Sequence, residues 1–557
     1  MNKIFISIVI IIIAILAAIF LKKYPDYVKK KTLPQVDWHT LVDDESKRLD
    51  FEITIPTRHF KKNAYPVKVL EKAGNINIQF NSIEPSEYAR KKDLMMSSGN
   101  IPEIFTTGAS GLGRYAKQQI IAPVPLEVLI KYCPTYVALV NRLAPDIWLG
   151  GMYNGKNYGL PTLWLGARYP RTGIWRKDWL DKVGIETVPE TLDEMEEAFK
   201  RFREDDPDGN GKKDTYGLSG DMSSWYTMFT DVFGAYDVMP YNWMLDKNGS
   251  FVYGGVQPEA KEALTRLRSW YKNGYLHPEF QTDKWYREVQ NKLISGKIGY
   301  HNYLSSYEAF DPDSPASALN MVRKQGGDIV PAILPSGPGG KRGHRVWGTG
   351  TGYQVFSAEL LKKPEKIIRY LKLTEKLMQN EALFIELTLG KEGRHWEWRI
   401  EEGKRAGAKG LKSEYKGKFL DFSDNKVRSK HGLQQFIFVD RPVLHMAVLD
   451  DKTVDTYLNP GKVNFRKTYT PPAWGRPDLL GKPSVVSETV PILERLRQKQ
   501  MRIYVEIITG DKALDSFETF VEEWYKEGGQ ELFDASKTYY ENFKKLESQI
   551  NEALNAR

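Results

Sequence analysis

From about residue 48 onward, short β-rich runs alternate with amphipathic helical stretches along a chain of 557 residues. That alternation constrains the fold more than any other feature. It is the pattern of α/β architecture, because each helix has to lay its apolar stripe on a sheet face. Residues 75–80 (NINIQF) alternate as a half-buried strand does, and Pro85-Ser86-Glu87 then opens a helix that runs toward Met96 and stops at Gly99. The best-marked helix starts at Thr191, with Glu194 three residues on as a capping box and Leu192, Met195, Phe199 and Phe202 on one face. Asp515 and Glu518 share that spacing and predict a second capping box, ahead of a stripe of Phe517, Phe520, Val521, Trp524 and Tyr525 that ends at Gly528-Gly529. A last helix runs through Leu532, Ala535, Tyr539, Phe543, Leu546 and Ile550. The glycine- and proline-rich segment 326–352 reads as loop and strand ends.

Composition excludes a few classes outright. With 41% hydrophobic and 27% charged residues, the chain is neither disordered nor fibrous. Cys133 stands alone, so no internal disulfide and no thiolate metal knot can form. Eighty basic against 71 acidic side chains leave a net +9. This small, mixed excess weakly favours acidic partners such as uronic-acid sugars, and it gives no ground for nucleic-acid binding.

The amino terminus carries its own signal. Ile4 to Leu21 is apolar except for Ser7, and 18 such residues are long for a signal-peptide core and close to a bilayer span. Residues 1–22 read as an uncleaved signal anchor in preference to a cleaved signal peptide, and 23–47, with Pro25 and Pro34, as a linker. Lys3 precedes the run while Lys22, Lys23, Lys29, Lys30 and Lys31 come after it, which by charge alone favours a cytoplasmic body.

Two patterns carry chemistry. In DPDGNGKKD (206–214), Asp206, Asp208, Asn210 and Asp214 occupy positions 1, 3, 5 and 9 of a cation loop, with the Lys212 carbonyl at position 7 and a glycine at position 6 for the sharp turn. Calcium in a structural role is the expected occupant. Position 12, where an EF-hand loop would place a glutamate, is Gly217. The second pattern is aromatic, with fourteen Trp and 30 Tyr, many in polar company. Trp164, Trp225, Trp347, Trp396 and Trp474 are candidate platforms for the C–H face of a pyranose ring, and among them Trp164, Trp396 and Trp474 are expected to stack best. Signatures of catalysis are missing: there is no H-E-x-x-H, no G-x-S-x-G, and neither glycine stretch has phosphate-loop or dinucleotide spacing.

Several segments resemble one family at consistent spacing. MMSSGNIPEIF (95–105) is similar to its "ASGDLPDI", YNGKNYGLP (153–161) to "DGKIYGLP", and IWRKDWLDKVGIETVPETLDE (174–194) to a "RKDWLDKLGL" stretch that DPDGNGKKDTYGL directly follows. KEGRHWEW (391–398) and YVEIITGDKALDSFETFVEEW (504–524) add two more. The chain thus resembles the extracellular solute-binding proteins of ABC importers, in the large carbohydrate-binding branch of lipoprotein LplA-like and alginate-binding members.

That resemblance implies an α/β, two-lobed fold of the type II periplasmic-binding-protein kind, with a hinge and discontinuous lobes. It assigns 48–163 plus 325–410 to lobe 1 and 175–305 plus 475–557 to lobe 2. The first crossover falls near Trp164–Ile174, and 411–474 is an elaboration of unassigned lobe. It implies calcium at Asp206, Asp208, Asn210, the Lys212 carbonyl and Asp214, and an oligosaccharide closed between the lobes and delivered to transmembrane permease subunits. The body would sit at the outer face of a bacterial cytoplasmic membrane, held there by residues 4–21 or secreted. No enzymatic activity is expected. Two rivals keep the sugar pocket and change the fate of the bound sugar: a secreted carbohydrate-active enzyme, and a sensor ectodomain feeding a membrane kinase.

Overall fold

The computed structural model describes residues 33–56, 64–163, 165–220, 228–283, 286–302, 307–312, 315–401, 403–410, 460–481 and 490–557. The apolar run 4–21, Trp164, Trp225 and residues 411–459 of the expected elaboration lie outside the described residues. Within them, no helix is long and apolar enough to cross a membrane.

In chain order, the strands that frame the site are β1 (Leu49–Pro56), β2 (Ile76–Ile83), β3 (Ile104–Thr107), β4 (Leu160–Leu163), β5 (Gly173–Arg176), β6 (Tyr300–His301), β7 (Ile329–Ala332), β8 (His344–Arg345), β9 (Gly350–Phe356), β10 (Trp396–Glu401), β11 (Lys404–Gly410) and β12 (Gly475–Arg476). The helices used below are α1 (Leu192–Glu204), α2 (Pro258–Lys272), α3 (Glu365–Gln379), α4 (Pro460–Tyr469), α5 (Val490–Thr509), α6 (Ser516–Trp524) and α7 (Gln530–Asn555).

Two sheets divide the molecule. The first has the order β2-β1-β3-β9-β4, with β1 parallel to β2 and β3, and β9 antiparallel to β3 and β4. Its strand β1 reads LDFEITIP, and Phe51, Ile53 and Ile55 alternate into a core shared with Leu70, Ile104, Val140 and Leu371. The second sheet is β6-β5-β7, antiparallel throughout. Its core gathers Trp175, Trp179, Phe199, Phe202, Trp270 and Phe520, with the Trp175 ring 4.7 Å from Tyr300 and 5.6 Å from Phe199. A smaller cluster of Leu293, Ile298, Val322 and Ile329 extends this second body.

Local expectations fare unevenly. At α1 the capping box is complete: Glu194 N–H donates to Thr191 Oγ1 at 3.1 Å, and Thr191 N–H donates to the Glu194 carboxylate at 3.0 Å. At α6 the matching box does not form. The Asp515 side chain caps no backbone N–H, because Lys261 of α2 draws both carboxylates, Asp515 at 3.4 Å and Glu518 closer still. Phe517, Phe520 and Trp524 are buried as the stripe requires, whereas Tyr525 is exposed.

The segment boundaries also shift. Residues 33–47, expected as linker, belong to the first body. Leu33, Val36 and Trp38 pack on its core, and buried Asp43 takes a two-pronged bond from Arg369 of α3, 2.8 Å on each prong. Residues 329–332, expected in the first lobe, pair as β7 with β5 in the second. Helix α7, expected wholly in the second lobe, serves both. Leu532 and Phe543 fill the second core, while Ile550 enters the first. Asn141 Nδ2 donates to the Glu547 carbonyl at 3.1 Å and to Asn551 Oδ1 at 2.9 Å, holding that far end in place. From the elaboration, Phe465 of α4 sits against Phe310 at 5.5 Å and Tyr307 at 5.9 Å, on the second body.

The glycine-rich stretch has a packing reason. A Cβ on Gly234 would collide with the Gly343 carbonyl, and one on Gly337 with the Ala235 carbonyl. Backbone lies on backbone where this stretch crosses the helix Thr230–Ala235.

Candidate functional site

Chain passes between the two sheets at neighbouring places. After β4 a 3-10 turn, Leu165–Arg168, leads across to β5; β8 lies between β7 of the second sheet and β9 of the first; and β12 pairs in parallel with β8. Backbone bonds bind these passages together. Trp347 N–H donates to the Ala167 carbonyl at 3.2 Å, and Val346 N–H to the Arg476 carbonyl at 3.3 Å. Thr162 and Thr351 hydroxyls meet at 2.9 Å on the β4–β9 side. Segments that join two separately cored bodies are where a hinge lies and where a groove between them has its floor.

Aromatic and cationic side chains crowd these passages. Trp347 comes just after β8, is 41% exposed, and has the Arg345 guanidinium 4.9 Å from its ring centre. Trp474 precedes β12 at the opposite end of the ladder, half-buried, with Arg342 at 5.9 Å. Tyr169 lies between Arg168 at 5.1 Å and Arg466 at 4.7 Å. Beneath them His344 is buried, its Nδ1 2.7 Å from the Arg345 carbonyl and its Nε2 without a partner. Burial, and then the charges of Arg171 and Arg345, push its pKa down to about 4.

Of the five candidate tryptophans, then, the structure brings Trp347 and Trp474 to the crossings. Trp396 is corrected. It is 2% exposed in the first core, its Nε1 donating to the Gly390 carbonyl at 2.8 Å and its ring edge-on to Trp398 at 5.0 Å, so no sugar can reach its face. Trp164 and Trp225 lie outside the described residues. Sequence reading passed over Tyr169, Arg168, Arg345 and Arg466. The signal it had was arginine next to or near an aromatic residue in ARYPR, HRVW and NFRKTY.

The acidic loop lies apart, after α1. Positive φ at Asp206 (48°), Gly209 (72°) and Gly211 (75°) turns the chain sharply. Asp206 accepts from Asn210 N–H at 3.2 Å and Gly211 N–H at 2.7 Å. Asn210 Nδ2 donates to Asp208 at 2.8 Å and Asp214 at 2.9 Å, and Lys297 pairs with the other Asp214 oxygen at 2.8 Å. The Gly211 N–H holds Asp206 below the usual carboxylate range, the Lys297 bond does the same for Asp214, and burial with neighbouring Asp206 lifts Asp208 above it.

The donor set suits a hard cation, since it is all carboxylate and amide oxygen on a tight turn. As the side chains stand, the Asn210 amide bridges two carboxylates, and among the described residues no three Asp, Glu, His or Cys groups enclose a metal-sized site. Thr215 adds nothing: it is buried and its hydroxyl donates to the Phe202 carbonyl at 2.6 Å. Gly217 packs on the Phe199 ring, which leaves no room for a side chain at that position.

Comparison with known proteins gives a consistent picture. The family model described as bacterial extracellular solute-binding protein matches residues 59–358. A polygalacturonan/rhamnogalacturonan-binding protein of Bacillus subtilis is 28% identical over 335 residues, 59% of this chain and 63% of that protein. The fructooligosaccharide ABC transporter substrate-binding protein FusA of Streptococcus pneumoniae is 26% identical over 303 residues, 51% of this chain and 52% of that one. The matched stretch thus spans less than two thirds of these relatives' length. Among solved structures, an extracellular solute-binding protein from Bifidobacterium longum subsp. infantis superposes with a TM-score of 0.59 at 16% identity, covering 90% of this chain and 100% of that one. The fold is the α/β, two-lobed one of type II periplasmic binding proteins.

Proposed function

Because this chain belongs to the bacterial extracellular solute-binding protein family, we propose that it captures an oligosaccharide between its two bodies and hands it, chemically unchanged, to the permease subunits of an ABC importer. The observation that carries this reading is the set of crossings at Ala167–Tyr169, His344–Trp347 and Trp474–Arg476, where exposed Trp347, half-buried Trp474 and Tyr169 and several guanidiniums meet between two independently cored sheets. Its named relatives bind polygalacturonan or rhamnogalacturonan in one case and fructooligosaccharide in the other, which supports a saccharide ligand. The basic balance of the chain favours an acidic one.

The mechanism is differential affinity. Contacts supplied by both bodies exist together only in the closed form, so ligand shifts the population toward closure. A bias of about 3–5 kcal/mol moves a mostly open ensemble to a mostly closed one. Trp347 offers an apolar face to the sugar, and Arg345, buried beside it, fixes that ring.

In the acidic loop, Asp206, Asp208, Asn210, the Lys212 carbonyl and Asp214 would hold calcium. The ion would supply structural cross-linking only, and Lys297 and the Asn210 amide would yield their contacts to it. Residues 4–21 would tether the body at the outer face of the membrane. Calorimetric titration with an oligosaccharide panel, followed by chromatography of the recovered sugar, tests the central claim. Binding without cleavage supports it, and release of shorter products or failure of every sugar to bind overturns it.

A further inference from the structure

The turn after β4 sets Arg168 next to Tyr169, and Arg466 reaches the same ring from α4 of the elaboration. With their guanidinium carbons 5.1 and 4.7 Å from one ring centre, the two cations lie within about 10 Å of each other, no farther than the screening length of ordinary salt. Like charges held that close repel unless something negative joins them. Nearby arginines have such partners: Arg342 lies 3.8 Å from Glu190, and Arg476 3.5 Å from Asp237. Among the described residues, no carboxylate pairs with Arg168 or with Arg466.

Arg168 is further under-satisfied. Its Nη2 donates to the Tyr169 hydroxyl at 3.2 Å, but its Nε is buried with no acceptor. Folded chains seldom keep a buried guanidinium N–H unpaired, and an incoming anion relieves it. The cluster sits where the chain crosses between the two bodies, beside the Trp347 backbone that is tied to Ala167.

Resting on the capture reading above, we propose that Arg168 and Arg466 together clamp the carboxylate of a uronic-acid unit beside the Tyr169 ring, and so make the receptor selective for acidic oligosaccharides. A guanidinium fork matches a carboxylate in two-point geometry. A neutral sugar can hydrogen-bond to the same groups but leaves both charges unrelieved, so the preference lies in the difference between the two ligands. Placing one cation on the crossover and the other on the elaboration lets the carboxylate stitch the two segments together. No covalent step is involved.

Titration calorimetry with trigalacturonate, the same trisaccharide fully methyl-esterified, and maltotriose reads this out. The unaltered chain should bind the acid about tenfold or more tightly than the ester, since hydrogen bonds between charged groups outweigh neutral ones by about that factor. Raising salt from about 50 to 200 mM should weaken the acid alone, because charge attraction is what salt screens. R168Q and R466Q should each weaken binding of the acid far more than that of the ester, and so remove most of the preference. Equal affinity of the unaltered chain for acid and ester overturns the clamp without needing any variant to fold. So does a preference that survives in both variants with unchanged melting. Binding of maltotriose alone rejects the clamp and leaves sugar capture standing; binding of none of the three rejects the clamp, while capture is decided by the wider oligosaccharide panel.

Discussion

At the scale of single residues, burial decides which side chains can serve a ligand and which serve the fold. Trp396 and Trp347 make the contrast, one at 2% and the other at 41% exposure. Truncating Trp396 to Ala should cost about 3–5 kcal/mol of stability, the usual loss for a large aromatic core side chain. Truncating Trp347 should leave stability within about 0.5 kcal/mol, as for exposed positions, and weaken saccharide binding instead. Urea unfolding and titration of the two variants separate the effects. Their sequence settings, EGRHWEW and HRVWGTG, look equally polar, and nothing local says that one ring turns inward.

His344 gives a second residue-level test. Its folded pKa is near 4 against an ordinary 6.5, so between those values the unfolded chain takes up a proton that the native one refuses. Stability from this group is therefore fully present above pH 6.5 and is lost as pH falls toward 4. His277, also lowered to about 4 by burial first and then by Lys292, adds to the same slope. Melting temperatures of H344Q measured at steps from pH 7 to 4 should fall less steeply than those of the unaltered chain. An unchanged slope would contradict the assignment.

Among the elements, identical spacing gives different outcomes because neighbours compete for the same side chains. T191A should destabilise by about 1 kcal/mol, the ordinary value of a formed N-cap. D515A should change stability by no more than about 0.5 kcal/mol, since it caps nothing and its ion pair is exposed. Both are read from denaturant midpoints. The capping motif was legible in the sequence at both helices, but Lys261 comes from 254 residues away and no local pattern announces it.

The acidic loop is an element of another kind, with its shape encoded by DPDGNG and its occupant open to a direct test. Calcium added to chelator-treated protein should raise the melting temperature, and D206N or D208N should abolish the rise. The gain for a ligand that binds only the native state is about 2.7 kcal/mol at a hundredfold excess over Kd. An unchanged melting temperature on adding calcium would reject the ion there.

For the molecule as a whole, two cored bodies joined by crossings predict a change of shape on binding. Small-angle scattering should show the radius of gyration shrinking when a saturating oligosaccharide is added, and an unaltered curve would contradict closure. The α/β class and most helix faces were readable from periodicity and ordered motifs. The division into bodies was less so. A strand such as β7 goes to whichever sheet its register and flanking contacts favour, and the partner β5 is about 150 residues earlier in the chain. Residues 33–47 look like a linker in composition, yet one buried ion pair, Asp43 with Arg369, binds them to the first core.

Helix α7 is rooted in one body at Leu532 and Phe543 and in the other at Ile550. A rigid rod fastened at both ends works as a splint: the jaws can swing only as far as the rod tilts or one of its fastenings lets go. How wide the mouth gapes is therefore set inside the two cores, by buried side chains remote from the crossings.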